Sequence, residues 1–187
     1  MSSAGAVIAL VQFLDRLASL PRTGWLLRGV ADPESIAEHT YGVCVVATRL
    51  VDDLRDQGQT VDGERVLRMA LLHDAAEGFT GDIPMPAKTD ALDRALEDAE
   101  HLLLSGVLAA PDLALWQEAE AAQTLEARIV KAADKLQMLI KALTYEQQRR
   151  GHLDELWQSP RNRRHMDLAF AAEIFAELDR LVARERE

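Results

Sequence analysis

Apolar residues recur at three- and four-residue spacing along most of the chain, while strict apolar/polar alternation is nearly absent. That periodicity predicts helices and no sheet. Val7, Leu10, Val11, Leu14, Leu17 and Ala18 mark a first helix over about Ala6 to Leu20, which Pro21 and Gly24 interrupt. Ser35 opens the second: Glu38 stands three residues on, and in this S-x-x-E arrangement each side chain satisfies an orphan backbone donor. His39 then falls in the first turn, and Val43, Val46 and Leu50 carry the apolar face to about Arg55. Asp62 is the expected cap of a third helix, in which Val66, Met69, Ala70 and Leu72 lead to His73, Asp74 and Glu77 before Gly78 ends it. Gly81, Pro84 and Pro86 make Phe79 to Lys88 a loop. Further helices are expected over about Asp90 to Leu108, Pro111 to Ala122, Thr124 to Arg150 and Pro160 to Arg184. Ile129, Ala133, Leu136, Ile140 and Leu143 share one face of the third of these; Met166, Ala169, Phe170, Ile174, Leu178 and Leu181 share one face of the last. The expected fold is all-α, a compact bundle of about six or seven helices. No repeat, low-complexity tract or linker divides it, so residues 1–187 are expected to form a single domain with its core over about 13–150 and the last helix packed on it.

Composition narrows the setting. A chain of 187 residues that is 48% hydrophobic has the length and the apolar content for one continuous core. The single cysteine, Cys44, can close no internal disulfide and can build no cysteine zinc cluster, which points to the cytoplasm. Met1 to Leu10 lacks the positive start of a signal peptide, and no window approaches the ~18 uninterrupted apolar residues of a membrane span. With 31 acidic against 21 basic side chains the net charge is −10, which disfavours a nucleic-acid polymer as partner. Small phosphorylated molecules stay possible, because a bound metal and one or two arginines reverse the field locally.

The chemistry-bearing residues fall on separate helices. His39, the adjacent pair His73 and Asp74, and Asp134 supply two imidazoles and two carboxylates, a set suited to a divalent metal that keeps open positions for water or substrate. Each alone reads as an ordinary hydrogen-bonded core or capping residue. All four lie in apolar runs, however, and burying them together without a cation would cost several kcal/mol. Glu77, four residues after His73 and three after Asp74, is expected on the same helical face, where a general base for an activated water would sit. Asp82, in a loop fixed by Gly81 and Pro84, is either a turn former or a carboxylate held over the site. Arg22 and Arg28 flank Trp25: guanidinium forks read phosphate oxygens, and the indole is either an apolar wall for a base or sugar or a plug in the core. Lys131 and Lys135 neutralise phosphate or are simply solvated. His101, His152 and His165, and the arginines Arg161, Arg163 and Arg164, read as ordinary polar positions and a solvated helix start.

With His39, His73-Asp74 and Asp134 in that order on successive helices, the sequence resembles the HD-domain metal-dependent phosphohydrolases. The stretches E34-S35-I36-A37-E38-H39-T40, H73-D74-A75-A76-E77-G78-F79-T80-G81-D82-I83-P84-M85-P86-A87-K88 and K131-A132-A133-D134-K135 are similar to the HD-domain 5′-deoxynucleotidases, and P21-R22-T23-G24-W25 fits the arginine–tryptophan element before their first histidine. The resemblance runs from about Phe13 to the last helix. It implies that His39, His73, Asp74 and Asp134 hold one divalent ion, with Co²⁺, Mn²⁺ or Mg²⁺ foremost. It further implies that Glu77, Asp74 and Arg22 form the catalytic set, Glu77 activating water and Arg22 orienting phosphate. Arg22, Trp25, Arg28, Asp82, Ile83, Pro84 and Met85 are then the substrate-binding residues, with Asp82 contacting deoxyribose and rejecting ribose. The chain departs from the bacterial pattern in one respect: Thr23 and Gly24 separate Arg22 from Trp25, which leaves Arg28 to share or take over the phosphate role. The expected partners are a small nucleotide substrate and a second copy of the chain, since a homodimer is also implied. Two other readings stay open: another HD-domain hydrolase acting on triphosphates, cyclic nucleotides or an alarmone, and a helical partner protein that holds metal without catalysis.

Overall fold

The computed structural model describes residues 3–84, 89–163 and 168–185. Its elements are α1 (Ser3–Leu14), prolonged by a 3₁₀ turn (Asp15–Ala18), then α2 (Thr23–Leu26), α3 (Ile36–Asp56), α4 (Gly63–Leu72), α5 (Glu77–Thr80) and α6 (Asp90–Ser105). After these come α7 (Ala110–Ala121), α8 (Leu125–Gln147), α9 (Asp154–Gln158), a 3₁₀ turn (Pro160–Arg163) and α10 (Ala169–Glu185). Among the described residues seven helices have ten residues or more and none of the chain forms a strand, as the periodicity predicts.

The long helices α3 and α8, of 21 and 23 residues, form the central pair. Val43, Ala47, Leu50 and Leu54 of α3 recur at helical spacing and meet Ile129, Ala132, Ala133, Leu136 and Leu139 of α8 in one buried cluster. Each fully buried Leu, Ile or Val contributes about 1.5–3 kcal/mol, so this seam is where the fold gains most of its cohesion. On one side α4 packs against α3, α7 and α8; on the other, α10 rests on α8 and α3 through Ala171, Phe175 and Leu178. A smaller cluster gathers Phe13, Leu72, Ala75, Ala76, Leu104, Leu108 and Trp116 under α1 and α6.

The starts of the helices follow their sequence signals. Ser35 Oγ accepts from Glu38 N–H at 3.2 Å while Glu38 Oε2 accepts from Ser35 N–H at 2.7 Å, which completes the capping box. Asp62 caps α4 by accepting from Arg65 N–H at 3.0 Å, and Thr124 caps α8 by accepting from Ala127 N–H at 3.2 Å.

Elsewhere the structure corrects the expectation. The first helix ends at Leu14, not Leu20, and its inner side is set by Leu10, Phe13, Leu14 and Leu17; Val7 and Val11 are 61% and 60% exposed. The third does not run on to Gly78. It stops at Leu72 and tightens into i→i+3 bonds, with Ala75 N–H donating to Leu72 O at 2.9 Å and Glu77 N–H to Asp74 O at 3.1 Å. Burial of Ala75 and Ala76 in the smaller cluster and the approach of Gly78 to the Phe13 ring favour that tighter path. Thr23–Leu26 and Asp154–Gln158 are short helices where loops are expected, and Ile140 of α8 is largely exposed. The last helix begins at Ala169, preceded by a separate 3₁₀ turn that Arg163 ties to Asp179 of α10. Arg164, His165 and Met166 lie outside the described residues.

Two left-handed glycines separate backbone strain from steric contact. Gly58 has φ +82° and open space around a Cβ, whereas at Gly151, with φ +76°, a Cβ would stand 2.6 Å from Val30 Cγ2 and 2.8 Å from Arg28 O. Gly58→Ala is expected to lose only the left-handed penalty, ~1–2 kcal/mol, and Gly151→Ala that penalty plus overpacking, ~3–4 kcal/mol. Urea unfolding of the two variants measures the difference, and equal losses would show that the 28–30 segment yields freely.

Candidate metal centre

Three elements converge at one point. His39 is held in the first turn of α3 by the capping box, His73 and Asp74 follow directly on α4, and Asp134 lies midway along α8. His39, His73 and Asp74 each offer a ligand atom, and these atoms all lie within 4.8 Å of one another. His39 Nε2 is 3.3 Å from Asp134 Oδ1 and 3.6 Å from Asp74 Oδ2, and His73 Nε2 is 3.2 Å from Asp74 Oδ2. The far side of each ring is occupied: Gln137 Oε1 lies 2.5 Å from His39 Nδ1, and Ala70 O lies 2.7 Å from His73 Nδ1. A carbonyl oxygen only accepts, so each imidazole donates from Nδ1 and directs Nε2 at the carboxylates, as a lone pair when it holds a cation and as N–H when the ring is protonated. Both Nε2 atoms are buried without a hydrogen bond. Buried ring nitrogens left so are costly, and a divalent cation between His39, His73 and Asp74, with Asp134 beside His39, is the partner that would satisfy them.

The surroundings keep the acids ionised. Burial would raise the carboxyl of Asp74, but His73, Arg22 and His39 outweigh it and hold it far below the usual carboxylate range. Asp134 is likewise held low against its burial, chiefly by Lys135, whose Nζ lies 3.0 Å from Oδ2, and by His39. Arg22 is brought to the cluster by the chain just before α3: its N–H donates to Glu34 O at 3.0 Å, and Ile36 N–H donates to Leu20 O at 2.9 Å. Its Nη1 pairs with Asp74 Oδ2 at 3.2 Å, and although burial opposes its charge, Asp74, Asp134, Asp82 and Glu77 together hold it firmly protonated.

Around this centre the expected substrate residues divide. Asp82 leans on α2: its carbonyl and Oδ2 accept from Thr23 Oγ1 at 2.6 and 3.0 Å, and Oδ2 accepts from Thr23 N–H at 2.5 Å. Thr23 is thus the clamp for the loop that Gly81, Ile83 and Pro84 continue, while Met85 lies outside the described residues. Trp25 takes the core alternative. It is 3% exposed, stands edge-on to Tyr145 at 5.2 Å and donates from Nε1 to Glu34 Oε1 at 3.1 Å, so no face of the indole is open to stack on a base or sugar. Arg28 turns to Gly24 O at 2.8 Å and to Glu155 at 3.8 Å; Arg22, not Arg28, is the guanidinium beside the histidines. Glu77 opens α5 and is close enough to Arg22 to stabilise its charge, but the helical register expected to align it with His73 is broken by the 3₁₀ turns. Lys131 is committed to Glu120 at 2.7 Å, and His101 and His152 are exposed. Gln137, Glu34 and Thr23 are the residues that sequence reasoning missed. For Gln137 a signal existed, since it is a polar residue one turn beyond Asp134 on the buried face of α8.

Known proteins resemble this chain in sequence and in fold. A Xenopus laevis protein named 5′-deoxynucleotidase HDDC2 is 36% identical over 166 residues, covering 84% of this chain and 80% of its own. The structure of the PH0347 protein from Pyrococcus horikoshii OT3 superposes with a TM-score of 0.82 at 36% identity, covering 93% of this chain and 99% of that one. A predicted metal-dependent phosphohydrolase from Magnetospirillum magnetotacticum MS-1 superposes at 0.65 with 27% identity, covering 96% and 94%. The HD domain profile matches residues 14–174, from Leu14 at the end of α1 to Ile174 within α10 and so through all four proposed ligands, and the chain belongs to the HD-domain phosphohydrolase family.

Proposed function

We propose that the protein is a metal-dependent 5′-deoxynucleotidase, which hydrolyses deoxyribonucleoside 5′-monophosphates to the deoxyribonucleoside and phosphate. The observation that carries the reading is the pair of inward, hydrogen-bond-free Nε2 atoms of His39 and His73 beside Asp74, Asp134 and a charged arginine, in a chain whose relatives of 31–36% identity are named 5′-deoxynucleotidases. His39, His73, Asp74 and Asp134 would hold one divalent ion. When bound, such an ion polarises a phosphoryl oxygen and lowers the pKa of a water at neutral pH.

The remaining roles belong to the chain. Arg22 donates to the equatorial phosphoryl oxygens and offsets the charge that develops on them, exchanging part of its pairing with Asp74 for the substrate. Glu77 accepts the proton of the attacking water. Asp82 reads the sugar: Thr23 engages its Oδ2, and we assign Oδ1 to the 3′-hydroxyl and to the choice of deoxyribose over ribose. Ile83 and Pro84 continue the chain beside it, and Met85, outside the described residues, keeps the substrate role that the resemblance implies. No helix among the described residues is long and apolar enough to cross a membrane. The reading keeps the cytoplasmic setting suggested by a single cysteine and the homodimer that the resemblance implies.

Two measurements test it. After metal stripping and restoration with Co²⁺, Mn²⁺ or Mg²⁺, phosphate release is expected from deoxynucleoside 5′-monophosphates and not from triphosphates; ribonucleotides hydrolysed equally well would remove the role given to Asp82. Glu77→Ala is expected to bind the ion as before and lose roughly 10²–10⁴-fold in kcat, the range of a lost general base. An unchanged kcat would assign the proton to another group.

A further inference from the structure

Behind His39 runs a buried polar chain that no ligand role accounts for. Gln137 Oε1 meets His39 Nδ1 at 2.5 Å, and Gln137 Nε2 donates to Glu34 Oε2 at 3.0 Å. Glu34 in turn accepts from Trp25 Nε1 at 3.1 Å on Oε1 and pairs with Lys141 Nζ at 3.5 Å on Oε2, while its own N–H donates to Tyr145 OH at 2.8 Å. The three central members are 0%, 8% and 4% exposed, in the order His39, Gln137, Glu34. α3 makes room for the chain with Gly42, one turn beyond His39, where a Cβ would stand 2.7 Å from Gln137 Cγ.

The chain has a polarity that starts from its charged end. An amide can present either its oxygen or its NH₂ to an imidazole, so Gln137 alone would leave the His39 tautomer open. A carboxylate only accepts. Glu34 therefore draws the NH₂ of Gln137 to itself, the amide oxygen must face His39, and His39 must donate from Nδ1 and keep its Nε2 lone pair. Pinned by donors from α2 and α8, Glu34 cannot swing away to release the amide.

We propose that Gln137 and Glu34 are positioning residues for the cation: Glu34 fixes the amide of Gln137, Gln137 fixes the Nδ1–H tautomer and ring plane of His39, and the chain so sets how tightly the centre holds a divalent ion. This rests on the reading that the cluster binds metal. It concerns affinity for the ion, which substrate does not enter, and outer partners of ligating histidines carry about 10–100-fold in metal affinity where they have been removed.

The test compares three full-length proteins of equal net charge: wild type, Gln137→Met, and the exchange Glu34→Gln/Gln137→Glu. In the exchange the pairs that lead to His39 survive, because the carboxylate at 137 accepts from His39 and from the amide NH₂ at 34, whose oxygen accepts from Trp25; only the contact of Lys141 with position 34 is given up. Each apo protein is titrated with Co²⁺ alone, followed by visible absorption and calorimetry, and its apo thermal unfolding is recorded. Gln137→Met is expected to bind Co²⁺ about 10–100-fold more weakly, and the exchange within about threefold of wild type. Wild-type affinity in Gln137→Met, or an exchange protein as weak as Gln137→Met, overturns the proposal. Absence of any Co²⁺ binding by wild type overturns the metal reading itself, and the two failures are distinct. Should a substituted protein not fold, ¹⁵N NMR of the unaltered Zn²⁺-loaded protein decides: ligation of His39 through Nε2 with a slowly exchanging proton on Nδ1 supports the proposal, and ligation through Nδ1 overturns it.

Discussion

Where α3 crosses α8, a Cβ at position 42 would stand 2.7 Å from Gln137 Cγ, so Gly42 makes room between the helices for a polar side chain, Gln137. Elsewhere the seam is apolar, from Val43 and Ala47 on one helix to Ala133 and Leu136 on the other. A lone amide in such a place costs free energy unless both its ends are bonded. Here they are, and the bonds lead to His39 on one side and to Glu34 on the other. The same contact that lets the central helices pack therefore decides how the first histidine stands, and Asp134, one turn before Gln137, is carried to His39 by the same crossing.

The overall charge of −10 conceals a local balance. Two buried carboxylates beside each other would raise one another's pKa, yet Asp74 and Asp134 are both held low, because His73 and the guanidinium of Arg22 offset the first and the ammonium of Lys135, with His39, the second. Each anion has its own cation, and each cation comes from a different segment: the strap before α2 and the middle of α8. This division leaves the space between the two Nε2 atoms lined by acceptors only. An acceptor-only pocket with cationic neighbours favours a divalent ion at its centre and an anionic oxygen at its rim, which is the charge pattern of a phosphoryl group approaching a metal.

Much of this was legible in the sequence, for a reason that can be stated by residue. Helices α3, α4 and α8 declare themselves because their apolar faces repeat at the helical period and Ser35, Asp62 and Thr124 cap them. The ligand set is legible because metal chemistry restricts it to a few residue types, so His39, His73-Asp74 and Asp134 stand out in apolar runs. What was not legible depends on tertiary contact. Glu77 looked aligned with His73 only if the helix continued, and packing of Ala75, Ala76 and Gly78 against Phe13 and its neighbours tightened that turn. Trp25 read equally well as a wall or a plug until the buried acceptor Glu34 was seen to claim its indole N–H. Glu34 itself carried no signal, since a glutamate before a capping box reads as an exposed charge, and its four partners come from residues 9 to 111 positions away.

The insertion of Thr23 and Gly24 between Arg22 and Trp25 acquires a physical meaning from this geometry. Were the arginine and the tryptophan adjacent, one peptide would have to send a guanidinium to Asp74 and an indole to the core with nothing between them to hold the neighbouring loop. In this chain a single helical turn separates the tasks: Arg22 reaches the cluster, Thr23 fastens Asp82 through its N–H and hydroxyl, Gly24 offers its carbonyl to Arg28, and Trp25 seats the turn on Glu34 and Tyr145. Arg28 is thereby spent on holding the turn closed, Arg22 is the guanidinium left facing the cluster, and Thr23 ties the loop carrying Asp82 to the same short helix. Through Glu34, which bonds both Trp25 and Gln137, that turn is also joined to the buried chain behind His39, so Arg22, Asp82 and His39 share one support.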